Sequence, residues 1–375
     1  MRTRRKLEHL NLALEMADGP AATGFEDLYL LNNSVPEVDL AQVNTGIVFL
    51  GRELKMPLII NAITGGIREA DELNRDLSQL ARRKGLGMAV GSQVVAMHEK
   101  MPPESFRVVR RENPGGLVLA NVSARSRFPV ALKAVEMLEA DGLQVHLNVP
   151  QELAMPEGDR EFCGVLDNIT ELVKRSPVPV IAKEVGFGLS REAAERLIEA
   201  GVEYLDIGGR GGTNFIAIEN RRGGLFGTEL TEWGISTAVS LLEVLSLSAS
   251  VKVVASGGIR GALDAAKALA LGAEMVGMAA PLLRMWQNGG LQVLEDWTEA
   301  FGYRLKAVML MTGVSNMAEL RNLPVLITGQ TAEWIRARGI DPERWSRKGV
   351  QSYAQFTNSQ RNSGDHESGK RGMHR

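Results

Sequence analysis

Within seven positions the sequence carries an imidazole, two carboxamides and a carboxylate, in the segment His146-Leu-Asn148-Val-Pro-Gln151-Glu152. In a strand, alternation of the side chains would place His146 and Asn148 on one face. One carboxylate such as Glu152 matches the way Mg²⁺ is often held, by few protein ligands together with water and the phosphate oxygens of a substrate. These residue types predict hydrogen bonds to a polar substrate and one carboxylate ligand for a cation.

Two glycine-containing loops have the composition of a phosphate site. Ser256-Gly-Gly-Ile-Arg260 opens a helical pattern, and Gly277-Met-Ala-Ala280 follows the last β-rich run. Glycine lets backbone N–H groups turn toward a ligand, and a helix N-terminus adds partial positive charge. Ordinary tight turns can have similar sequences, but the two loops together favour a bound phosphate. A third loop, Gly208-Gly-Arg-Gly-Gly-Thr213, would let the backbone approach a flat or anionic ligand, although a mobile loop has the same composition.

Cationic side chains stand at two further places. Lys183 ends the apolar run that begins at Val180, and a cation there can pair with a substrate anion or stabilise negative charge on the pyrimidine edge of a flavin. Arg5, Lys6 and His9 lie near the N-terminus. They form either a solvated terminus or, if the segment folds over the site, a clamp for an anion.

The elements that must position these residues repeat along the chain. Short β-rich runs start about 31 residues apart, the size of one βαβ unit, and most are followed by a helical pattern. There are eight of them: 56–62, 86–90, 116–122, 142–148, 178–185, 202–208, 251–256 and 274–279. They predict an α/β fold, a (β/α)₈ barrel, with a doubly wound sheet as the alternative. In a barrel, the polar residues that follow the strands would share one face.

Helices and domain limits follow from the same pattern. Ser190 is a plausible N-cap for the helix at 191–200. We expect an N-terminal extension over residues 1–55 that contributes the clamp, a barrel with closing helices over 56–349, and a disordered polar tail over 350–375. Helices are predicted at 71–84, 129–140, 159–175, 191–200, 235–246 and 261–271, with closing helices at 289–321.

The composition is typical of a soluble globular protein. Of 375 residues, 44% are hydrophobic and 23% are charged, and 43 basic against 45 acidic side chains give a net charge of −2. This balance disfavours nucleic-acid binding, and no uncharged run is long enough for a membrane helix. Cys163 is the single cysteine, so an internal disulfide and a multi-cysteine metal site are excluded. We expect a cytoplasmic protein that binds neither nucleic acid nor membranes.

Several motifs resemble those of a known family, and they occur in the same order and with the same spacing. From about Thr3 to the mid-340s, the chain resembles type 2 isopentenyl-diphosphate isomerase. Ile63 stands where the family often has Met, a change between apolar residues. The motifs are Arg5-Lys-x-x-His9, Asn61-Ala-Ile-Thr-Gly-Gly66, Gly91-Ser-Gln93, His146-Leu-Asn-x-x-Gln-Glu152, Lys183-Glu-Val-Gly-Phe-Gly188, Asp206-Ile-Gly-Gly-x-Gly-Gly-Thr-Asn214 and Ser256-Gly-Gly258.

The resemblance implies a flavoenzyme that interconverts isopentenyl and dimethylallyl diphosphate with FMN, with NADPH to reduce the flavin, and with Mg²⁺. It also implies a homo-oligomer, a tetramer or an octamer. By position, Glu152 would bind Mg²⁺. The substrate would be bound by Arg5, Lys6, His9, Ser92, His146, Asn148 and Gln151. FMN would be contacted by Ala62, Ile63, Thr64, Ser92, Asn121, Lys183, Thr213, Gly257, Gly258, Ala279 and Ala280.

The residue types agree with a redox-neutral reaction. Moving a double bond by one position requires one proton to be added and another to be removed. We expect reduced flavin to supply the proton-transfer group, Lys183 to stabilise the anionic reduced ring, and Gln151 to orient the substrate or relay a proton. Lys183 and Gln151 are therefore the predicted catalytic residues.

Two other functions fit parts of the sequence. An FMN-dependent dehydrogenase or 2-hydroxy-acid oxidase would form a net redox product, and it would need a histidine base beside an aspartate. Before the tail, the histidines are His9, His98 and His146. A flavin- or phosphate-binding module without turnover would instead use the basic N-terminus for docking. Deletion of residues 1–10 separates these roles, because only a substrate clamp makes catalysis depend on that segment.

Overall fold

The computed structural model describes residues 2–16, 22–98, 103–247 and 250–349. The predicted tail at 350–375 lies outside these ranges. The strands are β1 (Leu28–Leu30), β2 (Ile47–Phe49), β3 (Arg52–Leu54), β4 (Leu58–Ile60), β5 (Gly87–Ala89), β6 (Val118–Ser123), β7 (Gly142–Leu147), β8 (Val180–Glu184), β9 (Tyr204–Asp206), β10 (Lys252–Ser256), β11 (Met275–Met278) and β12 (Val325–Ile327).

Strands β4 to β11 form a closed parallel barrel. Closure occurs where β11 pairs with β4 and Met278 lies opposite Ile60. Each of the eight predicted β-rich runs overlaps one barrel strand. The predicted (β/α)₈ fold is confirmed, and the open doubly wound sheet is excluded because the sheet has no free edge.

Helices surround the barrel and lie close to the predicted positions. Ser190 caps α7 as predicted, because its Oγ accepts a hydrogen bond from the N–H of Ala193 at 3.2 Å. In the described residues no helix is both long and apolar enough to cross a membrane. The helices are α1 (Arg2–Glu15), α2 (Ala70–Lys84), α3 (Glu104–Glu112), α4 (Phe128–Leu138), α5 (Val149–Ala154), α6 (Val165–Arg175), α7 (Arg191–Glu199), α8 (Phe215–Arg221), α9 (Thr237–Ser246), α10 (Ala262–Leu271), α11 (Ala280–Met311, broken at Gly289 and Gly290), α12 (Met317–Arg321), α13 (Gly329–Ala337) and α14 (Glu343–Ser346).

The helix predicted at 159–175 is wrong in its first turns. Helix α6 begins only at Val165, directly after Gly164. The residues before it are held by side-chain contacts instead. The N–H of Asp159 donates to Glu152 Oε2 at 2.9 Å, and Arg160 Nη1 donates to the carbonyl of Glu152 at 2.6 Å. These contacts bind the segment before α6 to Glu152 and not into a first helical turn.

The N-terminal residues cover both ends of the barrel. Strands β2 and β3 form a hairpin whose Phe49 is buried with the barrel residues Ile59 and Leu119 and closes the end at which the strands begin. Helix α1 packs on α8 and α11, near the opposite end. Strand β1 pairs antiparallel with β12, with Leu28 opposite Ile327. The segment before the barrel therefore packs on it at several places.

Candidate active site

The interior of the barrel has an apolar layer below a polar one. Four residues from alternate strands, Ile59, Leu119, Ile181 and Val254, form one buried cluster, as expected for a packed (β/α)₈ core. Two positions further along the same strands stand Asn61, Asn121, Lys183 and Ser256, all buried. Because side chains alternate along a strand, this second set faces the same interior. The polar layer lies at the ends of the strands where barrel enzymes place their active sites.

Lys183 is a buried cation held by a buried anion. Its Nζ lies 2.9 Å from Asp206 Oδ2 and 3.4 Å from Ser256 Oγ. Asp206 is fully buried and also accepts hydrogen bonds from Asn61 Nδ2 at 2.7 Å and from the Ser256 hydroxyl. With its carboxylate saturated in this way, Asp206 fixes the Lys183 ammonium at the wall of the cavity.

His146 is held neutral on the same floor. Its Nδ1 lies 2.8 Å from Asn121 Oδ1. Burial, followed by the positive charges of Lys183 and Lys6, lowers the pKa of His146 to about 4. At pH 7 the ring therefore carries one proton, and it can accept a hydrogen bond at one nitrogen and donate one at the other.

Helix α1 brings two cations over the cavity. Leu10 is buried in the main core, with Leu7 packed against it, and this contact anchors the helix. Lys6 Nζ donates to the carbonyl of Ser92 at 2.7 Å and to that of Gly65. Burial, and then repulsion from Arg5, lower the pKa of Lys6 to about 7. The structure thus keeps a lysine at a position where water does not stabilise its charge.

An ion cluster joins α1 to the barrel. Arg222 Nε lies 3.0 Å from Glu8 Oε2, and its Nη2 lies 3.0 Å from Glu157 Oε1. Arg222 also contacts Glu219, whose Oε1 is 2.6 Å from His9 Nε2. Glu219 is fully buried. This cluster determines where α1 sits, and it places the His9 ring at the cavity wall.

Glu152 is the carboxylate of the polar segment after β7. Its Oε1 accepts a hydrogen bond from Asn148 Nδ2 at 2.9 Å, and its Oε2 accepts one from the N–H of Asp159 at 2.9 Å. Asn148 Nδ2 is also 3.3 Å from Gln151 Oε1. In the described part of the chain, no group of three or more His, Cys, Asp or Glu side chains could hold a metal ion. A cation bound at Glu152 would therefore take most of its ligands from water and a bound anion.

One cavity of about 480 Å³ brings most of the predicted site residues together, a volume typical of small-molecule sites. Apolar side chains of Leu10, Val94, Val95 and Leu283 form part of its wall. The predicted residues that line it are Arg5, Lys6, His9, Ala62, Ile63, Thr64, Ser92, Asn121, His146, Asn148, Gln151, Glu152, Lys183, Thr213, Ala279 and Ala280.

Gly257 and Gly258 line an adjoining recess of about 110 Å³, which shares Lys183, Thr213 and Ala280 with the larger cavity. Both glycines have left-handed backbone angles, φ +103° and +73°, and a Cβ would come within 2.1 Å of the carbonyl of Gly209 or 2.4 Å of that of Gly211. Within the described ranges, the N–H groups of these two glycines donate to no protein acceptor. Helix α10 starts just beyond them, so the recess suits an anion such as phosphate.

Sequence reasoning missed the residues that support the site from below. Gln144 and Asn61 are buried and link the polar layer, and Glu219 and Arg222 hold α1. Gln144 and Asn61 had a signal, because Gln144 is a polar residue within β7 and Asn61 directly follows the apolar strand β4. Arg222 had little signal, since two of its three partners, Glu8 and Glu157, are far from it in sequence.

Comparison with curated proteins gives close relatives. The isopentenyl-diphosphate delta-isomerase of Moorella thermoacetica is 50% identical over 337 residues, which are 90% of this chain and 97% of that protein. The protein of the same name from Symbiobacterium thermophilum is 46% identical over 351 residues, 91% of this chain and 97% of that protein. The relatives therefore match this chain over almost their whole length.

A family profile and solved structures agree with the fold. The profile described as FMN-dependent dehydrogenase matches residues 163–325. A mandelate oxidase variant with an FMN adduct superposes with a TM-score of 0.61 at 17% identity, over 88% of this chain and 99% of that one. A flavocytochrome b2 variant with pyruvate bound superposes with a TM-score of 0.63 at 19% identity, and the match covers 84% of this chain and 81% of that chain. At these identities the structures support the barrel alone.

Proposed function

Because this chain belongs to the isopentenyl-diphosphate delta-isomerase family, we propose that it interconverts isopentenyl and dimethylallyl diphosphate without net redox change. One observation carries the proposal beyond the family: a single cavity joins the α1 cations, the Glu152 carboxylate and the Lys183 ammonium. An alkenyl diphosphate needs cations and a metal at one end and an apolar surface at the other. The cavity has both, since Leu10 and Val94 line it too.

The residues present fit FMN and Mg²⁺. The recess at Gly257 and Gly258 offers unpaired N–H groups that a phosphate would accept from, and Lys183 offers a charge beside the same recess. When bound and reduced by NADPH, FMN would supply the proton-transfer chemistry. The single carboxylate of Glu152 fits a Mg²⁺ whose other ligands are diphosphate oxygens and water.

In this proposal the chain's own residues bind, orient and stabilise charge. Arg5, Lys6 and His9 hold the diphosphate and so fix the alkene in one orientation, and fixing a reactant in this way accelerates a reaction. Lys183 stabilises negative charge in a site from which water is largely excluded. Gln151, one position before Glu152, orients the alkene or relays a proton.

A second candidate is an FMN-dependent oxidoreductase, which the profile match at 163–325 favours. A histidine base beside an aspartate is the arrangement that such chemistry requires. In the described residues, His146 bonds to the amide of Asn121 and His9 pairs with Glu219. Neither histidine has an aspartate partner, so we place this function second.

The deciding experiment is an anaerobic incubation of the protein with FMN, Mg²⁺, NADPH and isopentenyl diphosphate, followed for dimethylallyl diphosphate. We expect many turnovers per equivalent of NADPH, because the reaction consumes no hydride. Omitting NADPH is the control for the reductive step. A redox product formed in proportion to NADPH would support the oxidoreductase instead, and FMN binding without any product would leave a non-catalytic module.

Assembly and location complete the proposal. We expect a cytoplasmic homo-oligomer, a tetramer or an octamer, with NADPH as the reductant. The N-terminal segment acts as a substrate clamp, so deletion of residues 1–10 should abolish turnover. Unchanged turnover in this deletion variant would favour docking of the basic N-terminus to another molecule.

A further inference from the structure

A chain of buried amides crosses the barrel from Asp206 to His146. Asn61 Nδ2 donates to Asp206 Oδ2 at 2.7 Å, and Gln144 Nε2 donates to Asn61 Oδ1 at 3.0 Å. Asn121 Nδ2 then lies 3.4 Å from Gln144 Oε1, and Asn121 Oδ1 lies 2.8 Å from His146 Nδ1. Asp206, Asn61, Gln144 and Asn121 are each at most 3% exposed. These four side chains therefore have little contact with solvent.

The hydrogen bonds of this chain can run in only one direction. A carboxylate only accepts, so Asn61 must turn its NH₂ group to Asp206 and its oxygen away. The N–H of Ala62 donates to that same oxygen at 2.9 Å, which fixes the Asn61 amide a second time. Gln144 must then donate to Asn61, and Asn121 must donate to Gln144. This leaves the oxygen of Asn121 facing His146.

We propose that Asp206 and the N–H of Ala62 fix the Asn61 amide, and that Asn61 is a positioning residue that acts through Gln144 and Asn121 to hold His146 as the Nδ1–H tautomer. The unprotonated Nε2 is then presented to the cavity that the ring lines. In the described part of the chain, Nε2 makes no hydrogen bond of its own. A carboxylate separated from His146 by three residues of the hydrogen-bond chain, together with the N–H of Ala62, thus selects which nitrogen is reactive.

This orientation makes His146 an acceptor toward its ligand. The group opposite Nε2 must be an N–H or O–H donor, whereas an ionised phosphate oxygen only accepts and does not fit there. Within the proposed function, on which this step rests, His146 therefore contacts an N–H or O–H donor of the cofactor, and the α1 cations take the diphosphate.

The test is ¹⁵N NMR of the full-length protein labelled at histidine, at pH 8 so that the ring stays neutral. The His146 signals are assigned by their loss in His146→Gln. We expect a protonated-type Nδ1 and an unprotonated-type Nε2. In Asn61→Leu the Gln144 and Asn121 amides lose the group that orients them and can reverse, so we expect signals of both tautomers. Adding Asn121→Asp to this variant places an acceptor next to Nδ1 and should restore the single Nδ1–H tautomer.

Two further variants separate this mechanism from general damage. Gln144→Leu interrupts the chain but keeps the Lys183–Asp206 pair, and it should also give mixed tautomers. Glu243→Gln removes a buried carboxylate bonded to Arg338 and Trp334, remote from the chain, and should change nothing at His146. A wild-type Nε2–H tautomer, or an Nδ1–H tautomer that persists in Gln144→Leu, overturns the proposal even if Asn61→Leu does not fold. The measurement needs no turnover, so its failure leaves the proposed isomerase activity standing.

Discussion

At the end where the barrel strands begin, Asp141 accepts hydrogen bonds from Arg52 Nε at 2.8 Å, Arg110 Nη2 at 2.9 Å and the N–H of Val118 at 2.9 Å. At the end where the strands finish, polar groups are left without protein partners. The N–H groups of Gly257 and Gly258 donate to no acceptor among the described residues. Both ends carry charge, but the Asp141 carboxylate is held by three protein donors, whereas the two glycine N–H groups have no protein acceptor among the described residues.

We expect the end where the strands begin to contribute mainly to stability and the cavity end to contribute mainly to function. The hairpin end is closed by Phe49, whose ring packs edge-to-face on Tyr204 at 5.6 Å, and its ion pairs are complete. The cavity end keeps Lys6 at a depressed pKa and Lys183 at the wall of an open volume. A buried group without its full set of partners costs free energy, and a ligand that supplies those partners recovers it. The unpaired N–H groups beside Lys183 are therefore groups that a bound ligand would satisfy.

Lys183→Met should have the largest effect on catalysis. Removing a preorganised charge that stabilises developing negative charge lowers kcat by about 100- to 1000-fold. The matched control is Lys252→Met on β10, because Lys252 lies at the closed end, 3.3 Å from the Tyr204 hydroxyl. Steady-state rates with FMN occupancy measured by absorbance check this prediction. Full rate in Lys183→Met with FMN bound would remove the electrostatic role.

Glu152→Gln should have the second-largest effect, and the effect should be on the Mg²⁺ dependence of the rate. Losing the only proposed protein ligand should raise the Mg²⁺ concentration for half-maximal rate by on the order of 10- to 100-fold, the range seen when metal sites lose supporting groups. Glu157→Gln is the control, since that carboxylate lines the same cavity but pairs with Arg222. Titration of activity with Mg²⁺ gives both values. An equal shift in both variants would indicate a general charge effect and not a metal ligand.

Lys6 should give a smaller, pH-dependent effect. Its pKa of about 7 means that much of it is neutral at pH 8, and a bound diphosphate would raise that pKa. Binding should then take up nearly one proton per site, and affinity should fall by up to about tenfold per pH unit above 7. Calorimetry at pH 8 in two buffers with different ionisation enthalpies measures the uptake. In Lys6→Arg the uptake should vanish, because arginine stays charged; uptake that persists would come from another group.

Asp141→Asn should leave activity unchanged and reduce only stability. Burial raises the pKa of Asp141, but hydrogen bonds from Val118 N–H, Arg110 and Arg52 outweigh burial and lower it. This stabilisation is therefore present at neutral pH and is lost as the pH falls through the lowered pKa. We expect a loss of about 1–3 kcal/mol of unfolding free energy at pH 7, measured by denaturant titration, and a shrinking difference in acid. A reduced kcat at unchanged stability would contradict this prediction and would mean that the end where the strands begin also contributes to catalysis.

The barrel was predictable because its strands are short apolar runs between regular helices, as in Val180–Glu184. The site residues could be placed at the strand ends for the same reason, and most of them line one cavity. The turn of the β2–β3 hairpin could not be predicted. Leu50 and Gly51 both have positive φ there, 50° and 75°, and leucine rarely adopts that conformation. Tertiary packing of Phe49 overrides the local preference.

Helix α1 was missed for a related reason. Its first turn contains basic residues and no acidic one, the reverse of the charge that favours a helix N-terminus, which gives little local signal for a helix. Its stability comes from Leu10 in the core and from the Arg222 cluster, contacts that span about 200 residues of sequence. The sequence predicts the start of α6 too early, because the N–H of Asp159 is hydrogen-bonded to Glu152, which lies outside the helical pattern. Contacts between residues that are distant in sequence produce no periodic pattern of apolar residues, so the pattern could not predict them.

The pairing of β1 with β12 bears on how the molecule is made. Leu30 and Val325 lie opposite each other, so this two-stranded sheet joins segments from near the two ends of the described chain. During synthesis β1 leaves the ribosome early and has no partner until almost the whole polypeptide has been translated. The strand–helix units of the barrel can assemble in order as they leave the ribosome, whereas the β1–β12 pair can form only at the last stage. For most of translation, the first strand must wait with its backbone hydrogen-bonding groups exposed.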